Sequence, residues 1–156
     1  MTDAFSHIDD RGQARMVDVA GKQPSVRTAV ATGLVRSAAT TAIREGSVAK
    51  GDVLAVARVA GIMAAKRTPD LIPMCHPIAV HGVVVDVDPD PADDVIRVTA
   101  QVRTADRTGV EMEALTAVMA ACLTIVDMTK AVDPAATIDE VQVIEKTGGS
   151  SGDWHR

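Results

Sequence analysis

Tyrosine is absent from this chain, and its only other aromatics, Phe5 and Trp154, lie near the two ends. The interior therefore offers no platform on which unpaired bases stack. With 16 Lys and Arg against 21 Asp and Glu, the basic excess that marks nucleic-acid binders is missing as well. No nucleic-acid partner is expected. Cysteine is scarce too: Cys75 and Cys122 are too few for a disulfide framework and lack the paired spacing of a structural zinc site, so both are expected as free thiols. Unbroken apolar runs fall short of the roughly 18 residues that cross a bilayer, since Arg58 interrupts the stretch 53–65. The acidic segment 1–10 has neither the basic nor the apolar region of a signal peptide. A cytoplasmic location without membrane association is the expectation.

What the chain has in abundance is small and aliphatic: 25 Ala and 23 Val among 156 residues. Its core must be close-packed from such side chains. A chain of this length forms one domain and buries roughly 68 to 70% of its unfolded surface, enough to fold without a metal or disulfide. A single domain over 1–156 is expected, with flexible ends at about 1–12 and 147–156. The second end is a polar glycine-rich run, Thr147, Gly148, Gly149, Ser150, Ser151 and Gly152.

Hydrophobic periodicity orders the rest. Ala14–Val19 reads as a strand, and Val26–Leu34 as another, because Val26, Thr28, Val30, Thr32 and Leu34 alternate with their neighbours. Ser37 sits where an N-cap belongs, ahead of a short helix over 38–45 that Gly46 ends. Asp52 starts a second helix whose stripe of Val53, Val56, Ala57, Ala60 and Ala64 runs to about Lys66, with Pro69 as its stop. Ile78–Asp88 and Val95–Thr104 form an antiparallel hairpin, Val110–Val132 is the longest helix, and Ile138–Glu145 a last strand. From Val26 onward the order is the split βαββαβ of ferredoxin-like domains. The expected class is α+β, an antiparallel sheet with helices on one face, plus an extra N-terminal strand. The long helix is apolar nearly all round, at Leu115, Val118, Met119, Cys122, Leu123, Ile125, Val126 and Met128. One sheet covers one face, so the other is expected to pack on a second copy.

Several residues have the makings of chemistry. Met74, Cys75 and His76 lie between Pro73 and Pro77, which hold the backbone extended and out of any helix. A thiol beside an imidazole suits a metal pair or a nucleophile and base, and equally an ordinary loop. No third ligand cluster accompanies them, so neither metal nor cofactor is expected. Asp127 and Lys130 share a helix face three residues apart amid Ile125, Val126 and Met128, as a surface ion pair or as a proton-transfer pair. Glu111 and Glu113 lie in the first turn of the same helix, where its dipole favours acids. Glu113 and Asp127 are 14 residues apart, about 21 Å along the axis, so one small substrate meets both only if two copies contribute. Lys146 and the glycines after it can wrap a phosphate, or form a loose tail. Lys50, Arg58, Lys66 and Arg67 flank the second helix as further anion contacts or as scattered surface charge.

Longer strings carry a resemblance: MVDV at 16–19, KGDV at 50–53, AxxAGIxAAKRT ending at Thr68, DLIPMCHP at 70–77, TGVEMEALTA at 108–117, DMTKAV at 127–132 and KTGGSSGD at 146–153. In order and over nearly the whole chain, the sequence resembles the molybdenum cofactor biosynthesis protein C family, the cyclic pyranopterin monophosphate synthases. The resemblance implies a lyase converting (8S)-3′,8-cyclo-7,8-dihydroguanosine 5′-triphosphate to cyclic pyranopterin monophosphate with release of diphosphate. Its implied partners are that phosphorylated purine-derived substrate and further copies of the chain, a hexamer built as a trimer of dimers with sites at subunit interfaces. Residue by residue it implies Asp127 as catalytic acid and Lys130 as its partner. Met74, Cys75, His76, Met112 and Glu113 match substrate-binding strings, and Lys50, Lys66 and Lys146 match basic residues of the pocket. Pro69, Met74 and Ala20 depart from the family's commoner residues at those positions. The rival readings are a non-catalytic ferredoxin-like small-molecule-binding module and a metal-dependent hydrolase using Cys75 and His76.

Overall fold

Alternation along 25–36 produces strand β1, Ser25–Arg36, but the parity that faces the helices is the smaller one. Ala29, Ala31 and Val35 are completely buried there, while on the other parity Thr28 and Val30 stay half-exposed and Thr32 and Leu34 are buried. The computed structural model describes residues 8–9, 11–90 and 92–156. After β1 come the short helix α1, Thr40–Arg44, then α2, Val53–Ala65, and one turn of helix, α3, Thr68–Leu71. Strands β2, Val80–Asp90, and β3, Val95–Asp106, form the hairpin; α4, Glu111–Thr129, and strands β4, Thr137–Thr147, and β5, Trp154–His155, complete the chain. The sheet order is β2-β3-β1-β4-β5, antiparallel throughout. This is the ferredoxin-like arrangement with one strand added.

That added strand is not the N-terminal one. Ala14 makes only a single bridge with Ile8, and the rest of Ala14–Val19 runs without sheet partners. The fifth strand comes instead from the C-terminus, where the glycine run turns the chain back so that Trp154 pairs with Lys146 and His155 with Glu145. The segment expected as a loose tail from Thr147 is thus a short hairpin. The expectation of flexibility over 1–12 falls largely on residues outside the described ones. Two helix boundaries also differ. Ser37 Oγ accepts from Ala39 N at 3.1 Å, but the helix itself starts at Thr40 with Ala39 as its N-cap. Pro69 does not stop α2, which ends at Ala65; it sits in the first turn of α3, where a missing N–H costs nothing. Asp52 caps α2 as expected, its Oδ1 accepting from Ala55 N at 2.9 Å.

The core lies between the sheet and the α2–α4 layer and is built from Ile96, Val98, Ala100 and Val102 of β3 against Ala114, Ala117, Val118, Ala121 and Ile125 of α4. Close approach is set by two glycines. A Cβ at Gly33 would lie 2.8 Å from Val118 Cγ1, and one at Gly61 2.9 Å from the carbonyl oxygen of Ala117. Protein interiors pack too densely to absorb either without movement. The opposite side of the helix layer stays uncovered: Leu123 is 57% exposed, and Val56, Val59, Met63 and Met119 are exposed with it. Among the described residues α4 is long and apolar enough, by length and composition, to cross a membrane, yet more than half of that stretch is buried, as in a core helix.

Candidate active site

The Pro73–Pro77 segment crosses in front of the N-terminal end of α4. His76 Nε2 lies 2.8 Å from Val17 O, and because a carbonyl only accepts, Nε2 is the donor in that bond. Met74, Cys75 and His76 then line a cavity of about 280 Å³ together with Met112 and Glu113. Five sequence-predicted residues from two distant segments are therefore neighbours. Glu113 is only 3% exposed. Burial, reinforced by the nearby charge of Glu111, raises its carboxyl above the ordinary carboxylate range, so it keeps a proton more readily than a surface glutamate. Burial and the charge of Glu113 likewise push the Cys75 thiol up, which works against a thiolate nucleophile. Cys122, inside the core, is pushed up to about 12 by burial. Among the described residues, no group of three or more His, Cys, Asp or Glu side chains is placed to hold a metal ion.

A second cavity of about 240 Å³ shares the wall made by Lys22, Thr108, Gly109 and Glu111. Four cationic side chains, Lys22, Arg27, Arg107 and Lys146, line it with the backbone of Gly148 and the hydroxyl-bearing Ser150 and Ser151. Lys146 Nζ lies 3.2 Å from Glu111 Oε1, and Arg27 is held at the end of β3 by donating to Asp106 O at 3.0 Å and Arg107 O at 3.1 Å. Such a concentration of donors suits a multiply charged anion. Lys22, Arg27 and Arg107 escaped the sequence reading. Arg27 did leave a signal, because it shares the parity of Ala29, Ala31 and Val35, a side otherwise closed to charge.

The third cluster is at the other end of α4. Asp127 Oδ1 accepts from Lys130 Nζ at 2.7 Å, and Lys50 Nζ donates to Asp127 O at 2.6 Å while standing 3.6 Å from Oδ2. Lys50 comes from the loop between α1 and α2, so it joins the pair only through the tertiary fold. Apolar surroundings were expected for this pair, but in the single chain Asp127 and Lys130 are 62% and 60% exposed. Their apolar neighbours turn inward instead, with Ile125 fully buried. The hydrogen bond from Lys130, then the charges of Lys130 and Lys50, hold the Asp127 carboxyl below the ordinary range. In the free chain the Asp127 carboxylate is therefore ionised and stands beside two lysine side chains. Asp133, just beyond, anchors this end of the helix by accepting from Ser37 Oγ and Ala38 N, both at 2.9 Å. Lys66 is the exposed C-cap of α2 and lines neither cavity.

A ferredoxin-like domain with a cation-lined cavity at one end of its long helix, and a carboxylate between two lysines at the other, belongs to the class of small-molecule enzymes that handle charged substrates. The family is narrower. The model of the MoaC family matches residues 16–149. The chain is 60% identical over 156 residues to the cyclic pyranopterin monophosphate synthase of Streptomyces coelicolor, covering 99% of this chain and 91% of that one. It is 60% identical over 154 residues to that of Thermomicrobium roseum, covering 97% and 93%. It is also 57% identical over 154 residues to cyclic pyranopterin monophosphate synthase 2 of Mycobacterium tuberculosis, covering 97% and 91%. This chain belongs to the MoaC family.

Proposed function

We infer that the chain is a lyase of molybdenum cofactor biosynthesis that converts (8S)-3′,8-cyclo-7,8-dihydroguanosine 5′-triphosphate to cyclic pyranopterin monophosphate and diphosphate. The observation that carries the reading is the pair of cavities with a common wall, one lined by four cations and the other by His76, Met112 and the buried Glu113. The product keeps one phosphate, closed as a ring, so a substrate oxygen must attack the α-phosphorus while diphosphate departs. Lys22, Arg27, Arg107 and Lys146 are suited to the charge on that leaving group, and preorganised cations are most effective where charge develops. The neighbouring cavity takes the purine-derived rings, with Glu113 and His76 as hydrogen-bonding partners and Met74 and Met112 as apolar contacts.

Opening and re-closing those rings requires proton transfers in both directions. Asp127, ionised and flanked by Lys130 and Lys50, supplies a base and an acid in one cluster. It stands about 21 Å along α4 from Glu113, too far for one chain to bring both to one substrate. A second copy resolves the distance, because the exposed apolar residues Val56, Val59, Met63, Met119 and Leu123 lie on the helix layer between the two ends. The complete site is therefore read as shared between subunits of a cytosolic homo-oligomer, a hexamer arranged as a trimer of dimers. Burial of the Asp127 cluster against that partner supplies the low-dielectric surroundings the single chain lacks.

Incubating the protein with the cyclised triphosphate and following pterin product and diphosphate tests the reading. Equal amounts of both support it. Unchanged substrate recovered from a protein that binds it identifies a non-catalytic binding module instead.

A further inference from the structure

Two of the groups that line the cation-lined cavity, Lys146 and the Gly148 amide, are already engaged by carboxylates of the chain itself. One carboxylate comes from the first turn of α4 and the other from five residues further along the same glycine-rich turn. Lys146 Nζ is paired with Glu111 Oε1 at 3.2 Å, and the N–H of Gly148 donates to Asp153 Oδ1 at 2.9 Å. We propose that Glu111 and Asp153 are stand-ins for phosphate oxygens, holding Lys146 and the Gly148 amide in the binding arrangement until a polyphosphate displaces them. The proposal rests on the cavity being the phosphate site.

Three features are arranged for this. Gly109 has no side chain, and a Cβ there would collide with the Glu111 carboxylate, so glycine is what lets that carboxylate fold back across the wall between the cavities. Gly148 and Gly149 both adopt a φ of +82°, the left-handed conformation that aims the Gly148 N–H at Asp153, and a Cβ at Gly148 would collide with Val26 O. Asp153 immediately precedes β5, whose Trp154 is paired with Lys146. Releasing Asp153 therefore loosens the turn beside the very lysine that Glu111 holds.

The physical need is mutual repulsion. Lys22, Arg27, Arg107 and Lys146 line one small cavity, and like charges brought so close repel one another unless a counter-charge stands among them. A carboxylate makes the same charge-assisted hydrogen bonds as a phosphate oxygen. Each stand-in carries one negative charge, whereas an inorganic tripolyphosphate carries several on one covalent chain and so meets several of the cations at once. A polyphosphate outcompetes the internal acids, and what it gains is reduced by the contacts it has to break. Both ion-pair partners are partly exposed, their side chains 29% and 31% accessible, so the reduction is modest.

Calorimetric titration of the whole protein with inorganic tripolyphosphate, at one ionic strength and pH 7.5 or so, reads the effect directly. Glu111→Gln keeps the shape and removes the charge; it should bind about two- to fivefold tighter, the scale of an exposed ion pair. Asp153→Ala, which frees the Gly148 amide, should also bind tighter than the native chain. Lys146→Ala should lose about tenfold or more. Unchanged or weaker binding by Glu111→Gln, with loss in Lys146→Ala, overturns the stand-in role and leaves the cavity as a phosphate site. Unchanged binding by Lys146→Ala overturns the phosphate site and the proposal with it.

Discussion

Gly61 offers a quantitative test of how the helix layer is built, because two effects of similar size oppose each other there. Replacing a helix-interior glycine with alanine gains about 1 kcal/mol from backbone entropy and propensity. The added Cβ, however, would sit 2.9 Å from Ala117 O and 3.1 Å from Val85 Cγ2. The carbonyl belongs to the middle of α4 and cannot swing away without breaking that helix, so α2 must retreat by about half an ångström. Overpacking of this kind costs about 1–3 kcal/mol. The expected result is a net loss of about 1 kcal/mol, or roughly 2–4 °C in Tm for a chain of this size. Gly61→Val, with two further carbons against Val85, should lose clearly more. Gly21→Ala is the control: nothing lies within 4 Å of its Cβ and its φ is ordinary, so it should be neutral or gain about 0.4–1 kcal/mol. Urea midpoints at one fixed protein concentration measure all three, since subunit association contributes to apparent stability. A Gly61→Ala protein as stable as the native chain would refute the claim that helix spacing is set by the missing side chain.

Asp127→Asn, which keeps the shape and removes the base, should lower turnover by about 10²–10⁴ without changing the fold, and adding Lys130→Ala should do little further harm because the groups act as a unit. Losses that multiply, measured by steady-state product formation, would return the two to a plain ion pair. Cys75→Ser should retain much of the turnover, since burial and Glu113 hold that thiol protonated; total loss in a folded protein would revive the nucleophile. Glu113 has a folded-state pKa above its ordinary 4.5, so the unfolded chain releases that proton first and the stability it costs grows as pH rises from about 4.5 through the folded value. Glu113→Gln should therefore gain in Tm over the native chain between pH 4 and 7, and a constant difference across that range would contradict the burial argument. Light scattering should give a mass several times 16.3 kDa, and a lone monomer would remove the shared site.

From Val26 to Glu145 the sequence by itself determined the main strands and helices and their order, while the strand it offered over Ala14–Val19 does not form. Period-two runs at 26–34 and 95–104, the Asp52 cap and the long apolar stretch after Val110 are local signals, and local signals survive into any fold that buries them. It also marked Met74–His76, Met112–Glu113, Asp127, Lys130 and Lys146 as residues with chemistry to offer. Which side of β1 meets the helices was not legible, because a helix pressed close to a sheet wants the smaller face, and only the packing of Val118 over Gly33 shows that requirement. Nor was the fate of the glycine run, read as a loose tail: it becomes a turn because β4 presents a free edge to Trp154 and His155. Tertiary structure alone brought Lys50 to Asp127 across 77 positions, and Arg27 and Arg107 to Lys146. Electrostatic sites assemble from charges far apart in sequence, and an isolated charged residue carries no sign of the neighbours that folding will give it. The same holds for Glu113, whose depth under the Pro73–Pro77 segment, not its place in a first helical turn, is what raises its pKa.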